Sequence, residues 1–159
     1  MAEFGLLEPL RSRLHEGLLA YGTCAGMIRL ERDLGENSQP ILDVMDTRVR
    51  RNAFRSQLDS FEEDLSVAGL GTAPLHAVFI RAPIIERLGP AVELPAELPD
   101  GMPVAVRQGN LLAPAFHPKL GTGPRMHQLF LEMCRQAADC LRRRCSAFSQ
   151  TEHITQMQA

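Results

Sequence analysis

Apolar residues recur along this chain with more than one period, and the changes of period divide it into helices and strands. Phe4, Leu7, Leu10 and Leu14 are spaced as on one face of a helix over residues 2–16. Gly17 is a natural stop, while Pro9 inside the run either weakens that helix or marks its start. Leu18-Leu19-Ala20-Tyr21 is then a continuous apolar run of buried-strand length. It leads directly into Gly22-Thr23-Cys24-Ala25-Gly26, and the following MIRLERDL reads as a helix. Strand, tight glycine turn and helix make half of an α/β unit.

Further along, residues 34–40 are loop-like in composition. Val44–Val49 and Ser60–Leu65 are either strands or parts of an irregular excursion. Leu75–Ile80 is a clearer strand, rich in Val, Phe and Ile and stopped by Arg81-Ala82-Pro83. Residues 89–103, dense in Pro, Gly and Glu, predict a surface loop. Val104–Gln108 and Leu111–Phe116 flank Gly109-Asn110, which predicts a two-residue hairpin turn. Met126, Leu129, Phe130, Met133 and Ala137 then predict a helix from about Pro124 to Arg144. The chain divides into a domain over 1–145 and a flexible tail over 146–159, where periodicity fades.

Bulk properties narrow the class. A chain of 159 residues has single-domain length, and 45% hydrophobic with 23% charged residues is ordinary for a globular protein. A formal net charge of -2 carries no sign of the basic face that nucleic acid requires. No apolar run reaches the ~18–20 residues of a membrane span, and no secretory signal pattern opens the chain. Cys24, Cys134, Cys140 and Cys145 form no paired metal spacing such as C-x-x-C, so reduced thiols in a cytoplasmic protein without a bound metal are expected.

Cys24 carries the first candidate chemistry. The pattern G-x-C-x-G between an apolar strand and a helix is the cysteine counterpart of a nucleophile elbow. Small neighbours suit a sharp, closely packed turn, and a thiol at a helix N-terminus is biased toward thiolate. The Ala25 amide is placed to help hold an oxyanion. The alternative is a buried structural thiol. A cysteine nucleophile needs a base, and the histidines are His15, His76, His117, His127 and His153. His117 is distinguished because it ends the apolar run LLAPAF and precedes Pro118, which turns the chain out of a sheet. In open α/β sheets, sites gather at the carboxyl ends of strands, where Cys24 and His117 would both lie.

Several blocks together resemble one family. They are Gly-Thr-Cys-Ala-Gly at 22–26, Arg-Asn-Ala-Phe at 51–54, Gln-Leu-Asp-Ser-Phe-Glu at 57–62, Phe-Ile-Arg-Ala-Pro at 79–83, and Gln-Gly-Asn-Leu-Leu-Ala at 108–113 with Phe-His-Pro at 116–118. In order and spacing the chain is similar to the glutaminase subunits of pyridoxal 5'-phosphate synthase, members of the class I glutamine amidotransferases. The resemblance implies a three-layer α/β fold, a flavodoxin-like sheet with helices on both faces. It implies hydrolysis of L-glutamine to glutamate and ammonia, with the ammonia passed to a synthase subunit in a hetero-oligomer for vitamin B6 synthesis. Cys24 would be the nucleophile and His117 the base. Arg51 and the Ile80-Arg81 pair would contribute to substrate binding, an arginine suiting a carboxylate. No cofactor and no membrane or nucleic-acid partner is implied.

Two departures from the family pattern bear on activity. After the histidine the family has Pro-Glu-Leu, and here stands Pro118-Lys119-Leu120. The glutamate is the third triad member, which orients the imidazole; an ammonium has donors and no acceptor and cannot replace it. The chain also starts in the helix that follows the family's first βαβ segment, without its Gly-Gly-Glu-Ser loop. The expectations are therefore a glutaminase lacking that segment or, as the alternative, a catalytically impaired or non-catalytic relative that docks on the synthase. An unrelated cysteine hydrolase using Cys24 and His117 is a third reading, against which the family-specific blocks speak.

Overall fold

The computed structural model describes residues 4–33, 40–50, 60–121 and 123–156, without the side chains of 33 and 144–156. Arg51 and the Arg-Asn-Ala-Phe block lie outside the described residues. Helix α1 (Leu7–His15) leads to the short strand β1 (Ala20–Tyr21) and helix α2 (Ala25–Leu30). Strands β2 (Glu31–Asp33), β3 (Met45–Arg50), β4 (Ser60–Leu65), β5 (Leu75–Ile80) and β6 (Ile84–Leu88) follow. Next come β7 (Glu93–Glu97), β8 (Pro103–Gln108) and β9 (Leu111–Pro114), then a 3-10 turn over Pro118–Leu120 and the long helix α3 (Arg125–Gln156).

The sheet that organises the molecule has the order β1-β9-β8-β7. It is mixed: β1 runs parallel to β9, whereas β8 is antiparallel to both β7 and β9. The β8–β9 hairpin turns at Gly109, whose φ of +55° is the left-handed conformation that a tight turn demands. Alternation along β9 splits its side chains between two cores. Leu111, Ala113 and Ala115 join Leu14 of α1 and Met27, Ile28 and Leu30 of α2 on one face. Leu112 and Phe116 join Phe79, Met126 and Met133 on the other, with α3 covering them. Helices thus lie on both faces of the sheet, the three-layer arrangement expected.

Several expectations need correction. The helix after Cys24 ends at Leu30. Glu31-Arg32-Asp33 is extended and pairs with β3, because the Glu31 carboxylate is buried and accepts the Val49 amide at 2.8 Å. Residues 89–103 are not simply a loop: β7 pairs with β8 there and buries Ala96, with Leu98 beyond it. The final helix runs past Arg144 to Gln156. Phe4 precedes α1 and is exposed, leaving Leu14 as that helix's buried contact. Val44–Val49 and Ser60–Leu65, left open by pattern, are strands β3 and β4.

The β4–β5 pair hangs beside this frame. Leu65, Leu75, Ala77 and Phe79 point into the core, and Phe79 stacks on Phe61 at 4.3 Å between ring centroids. The opposite face carries His76, whose ring nitrogens meet Asp64 and Glu62 at 2.9 Å each. The hydrogen bond to Asp64 and then that to Glu62 hold the His76 pKa above its ordinary 6.5. A group whose pKa rises on folding stabilises the fold fully below its unfolded value, and loses that contribution as pH passes its folded value. The hairpin is therefore expected to loosen above pH ~6.5. An NMR titration of His76 should show a midpoint above 6.5 that returns toward it in Asp64→Asn/Glu62→Gln; an unshifted midpoint would contradict the bridge.

Candidate active site

The site is built at the carboxyl ends of β1 and β9. The parallel ladder continues past β1: the Gly22 amide donates to the Leu112 carbonyl and the Cys24 amide to the Pro114 carbonyl, both at 2.9 Å. Those bonds hold the turn against the sheet while α2 departs. Cys24 caps α2 with φ 49° and ψ -106°, a conformation that costs a non-glycine residue about 1–3 kcal/mol. That outlier is the elbow which the G-x-C-x-G spacing predicts. Helix α2 has six residues, so the field of its macrodipole at the thiol is small.

On the other side of β9, Phe116 is buried and His117 follows it at the start of the 3-10 turn. The His117 amide donates to the Val78 carbonyl of β5 at 2.9 Å, so the base candidate is tied to a neighbouring strand. Strand β5 then ends at Ile80, and Arg81 follows it. Arg81 has φ 46°, a second side chain at a positive φ beside Cys24 on the same cleft.

These elements enclose a cleft of about 510 Å³ lined by Cys24, Ala25, Ile28, Ile80, Arg81, His117, Lys119 and Leu120. Every candidate residue among the described ones therefore reaches one cavity, including Lys119, which sits exposed in the 3-10 turn. Ile28 and Leu120 were not singled out by pattern. Ile28 had a usable signal, lying one helical turn after Cys24 on the same face; Leu120 had none. No carboxylate lines the cleft among the described residues, and none hydrogen-bonds the His117 ring there. Nor do the described residues include a cluster of three or more His, Cys, Asp or Glu able to hold a metal ion. No described helix is long and apolar enough to cross a membrane.

Residues 1–136 match the SNO glutamine amidotransferase family. Among similar curated proteins, the pyridoxal 5'-phosphate synthase subunit PdxT of Herpetosiphon aurantiacus is 54% identical over 134 residues, covering 82% of this chain and 70% of that protein. The subunit of the same name from Thermus thermophilus is 56% identical over 133 residues, covering 82% and 68%. A solved structure described as a glutamine amidotransferase superposes with a TM-score of 0.77 at 50% identity, over 83% of this chain and 69% of its own.

The two glycines around Cys24 have different reasons to be glycine. A Cβ at position 22 would lie 2.7 Å from the Leu30 side chain and 2.8 Å from the Gly26 backbone. A Cβ at position 26 meets nothing within 4 Å. Gly22→Ala should therefore cost about 1–3 kcal/mol of stability through overpacking. Gly26→Ala should be neutral or gain up to about 1 kcal/mol from helix propensity. Urea unfolding of both variants checks the contrast, and equal losses would contradict it.

Proposed function

The chain belongs to the SNO glutamine amidotransferase family, and from that premise we propose that it is a cytoplasmic glutaminase subunit. It would hydrolyse L-glutamine to glutamate and ammonia and pass the ammonia to the synthase subunit of pyridoxal 5'-phosphate synthase. The observation that carries the reading is the strained Cys24 elbow facing the cleft that His117 also lines.

The chemistry follows the positions of these groups. Cys24 Sγ attacks the side-chain amide carbon of glutamine, and His117 takes the thiol proton. The developing oxyanion meets the Ala25 amide. The Gly26 and Met27 amides already donate to the Thr23 and Cys24 carbonyls, whereas the Ala25 amide makes no such bond among the described residues. His117 returns the proton to the departing nitrogen, ammonia leaves, and a glutamyl thioester remains. Water activated by His117 then releases glutamate and restores the thiol. Arg81, with Ile80 beside it and Arg51 by family resemblance, would hold the amino-acid end of the substrate.

Lys119 sets the rate of this sequence rather than its course. It occupies the position of the acid that orients the base, and it cannot accept the imidazole N–H. Loss of the orienting carboxylate costs about 10⁴ in turnover in a related triad. The expected enzyme is slow. This is the specific observation behind the second reading, a docking subunit that has lost turnover. Ammonia release by the purified chain with the synthase subunit decides between them. Slow release that vanishes in Cys24→Ala and rises by up to about 10⁴ in Lys119→Glu is expected. Release that persists in Cys24→Ala would overturn the assignment of the nucleophile, and none in either the chain or Lys119→Glu would overturn the glutaminase reading.

A further inference from the structure

The charge of the described cleft lining is one-sided. Arg81 and Lys119 are cationic, and no Asp or Glu lines the cleft with them among the described residues. A glutamine side chain is neutral at its reacting end. Hydrolysis converts that end to a carboxylate, placed where the amide stood, beside Cys24 and His117. Lys119 is two residues beyond His117 on the same 3-10 turn and lines the same cavity as Cys24 and His117. A glutamate at position 119 would add a like charge to the cavity that receives the new carboxylate. With lysine there, the local charge differs by two units and the carboxylate is held.

We infer that Lys119 makes this cleft selective for α-amino dicarboxylates, so that it binds L-glutamate more tightly than L-glutamine. Lys119 is then a specificity-determining residue, and glutamate is a retained, inhibitory product. This rests on the cleft being the glutamine site, but not on turnover. An ammonium–carboxylate contact in a partly enclosed cleft is a charge-assisted bond, stronger than the amide contact it replaces. A preference of roughly tenfold or more corresponds to about 1.4 kcal/mol. Because Lys119 is exposed, the preference should shrink as salt screens it.

Calorimetric titration of the Cys24→Ala chain, which cannot turn over, with L-glutamate and L-glutamine tests this apart from catalysis. At low ionic strength glutamate should bind roughly tenfold tighter. The preference should fall to near parity in Cys24→Ala/Lys119→Met and reverse in Cys24→Ala/Lys119→Glu. Thermal unfolding of each variant confirms that the exposed site tolerates the change. Glutamine bound as tightly as glutamate, a preference that survives Lys119→Met, or binding of neither ligand would overturn the inference. Ammonia release with no glutamate preference would sink this inference alone. A glutamate preference with no ammonia release from either the chain or Lys119→Glu would sink the glutaminase reading alone.

Discussion

Two backbone hydrogen bonds, Cys24 amide to Pro114 carbonyl and His117 amide to Val78 carbonyl, decide where everything in the cleft sits. Both involve the segment from β9 into the 3-10 turn. One holds the nucleophile candidate's turn against the end of that segment, and the other holds the base candidate against β5. Strand β9 and the two residues that follow it are in turn shared by both cores, with Leu111, Ala113 and Ala115 on one face and Leu112 and Phe116 on the other. Displacing β9 by one residue would exchange those faces, because side chains alternate along a strand. The register that fills the two cores is therefore the register that brings Cys24 and His117 to one cavity.

That coupling explains how the site tolerates strain. Cys24 and Arg81 both stand at positive φ beside the cleft, each costing about 1–3 kcal/mol. Neither conformation would persist in an isolated turn. Cys24 is bounded by the ladder bond to Pro114 and by Met27 and Ile28 of α2, which are buried in the core. Arg81 is bounded by buried Phe79 before it and buried Ala82 after it. Gly22 admits the Leu30 side chain and the Gly26 backbone so closely that a Cβ there would force one of them to shift. The apolar layers thus hold two reactive-cleft residues in conformations that they would leave on their own.

Much of this was legible in the residues, and the exceptions have physical causes. The elbow announced itself because strand, small residues, thiol and helix follow without interruption from Leu18 to Leu30. The β8–β9 hairpin was equally plain, since Gly109-Asn110 separates two apolar runs. Strand β7 was not, because Glu93, Pro95 and Glu97 give it the composition of a loop; only pairing with β8 and burial of Ala96 make it a strand. Glu31 misled for a related reason. A carboxylate inside a helical run reads as a solvated face, yet this one is buried against the Val49 amide, a long-range contact that local pattern does not contain. The helix α3 outlasted its apolar stripe for the same lack of local signal. Of the site, Cys24 and His117 could be argued from chemistry, while Ile80, Arg81 and Lys119 drew attention through resemblance. Their meeting in one cleft depends on β5 and β9 being tied together.

Position 119 shows how a single side chain can separate two properties of one cavity. The scaffold that places it is indifferent to its charge: the 3-10 turn is fixed by Pro118, which is buried, and by the Leu120 amide donating to the His117 carbonyl. Lys119 itself lines the cleft from an exposed position and contributes little to the packing. The fold can therefore accept either sign there at small cost, while the chemistry cannot. In the proposed glutaminase an acid there would orient the imidazole, whereas a lysine cannot accept its N–H and would favour the product carboxylate. Under that reading speed and ligand retention would be opposed through one charge, and the backbone that carries it leaves the balance between them free to change.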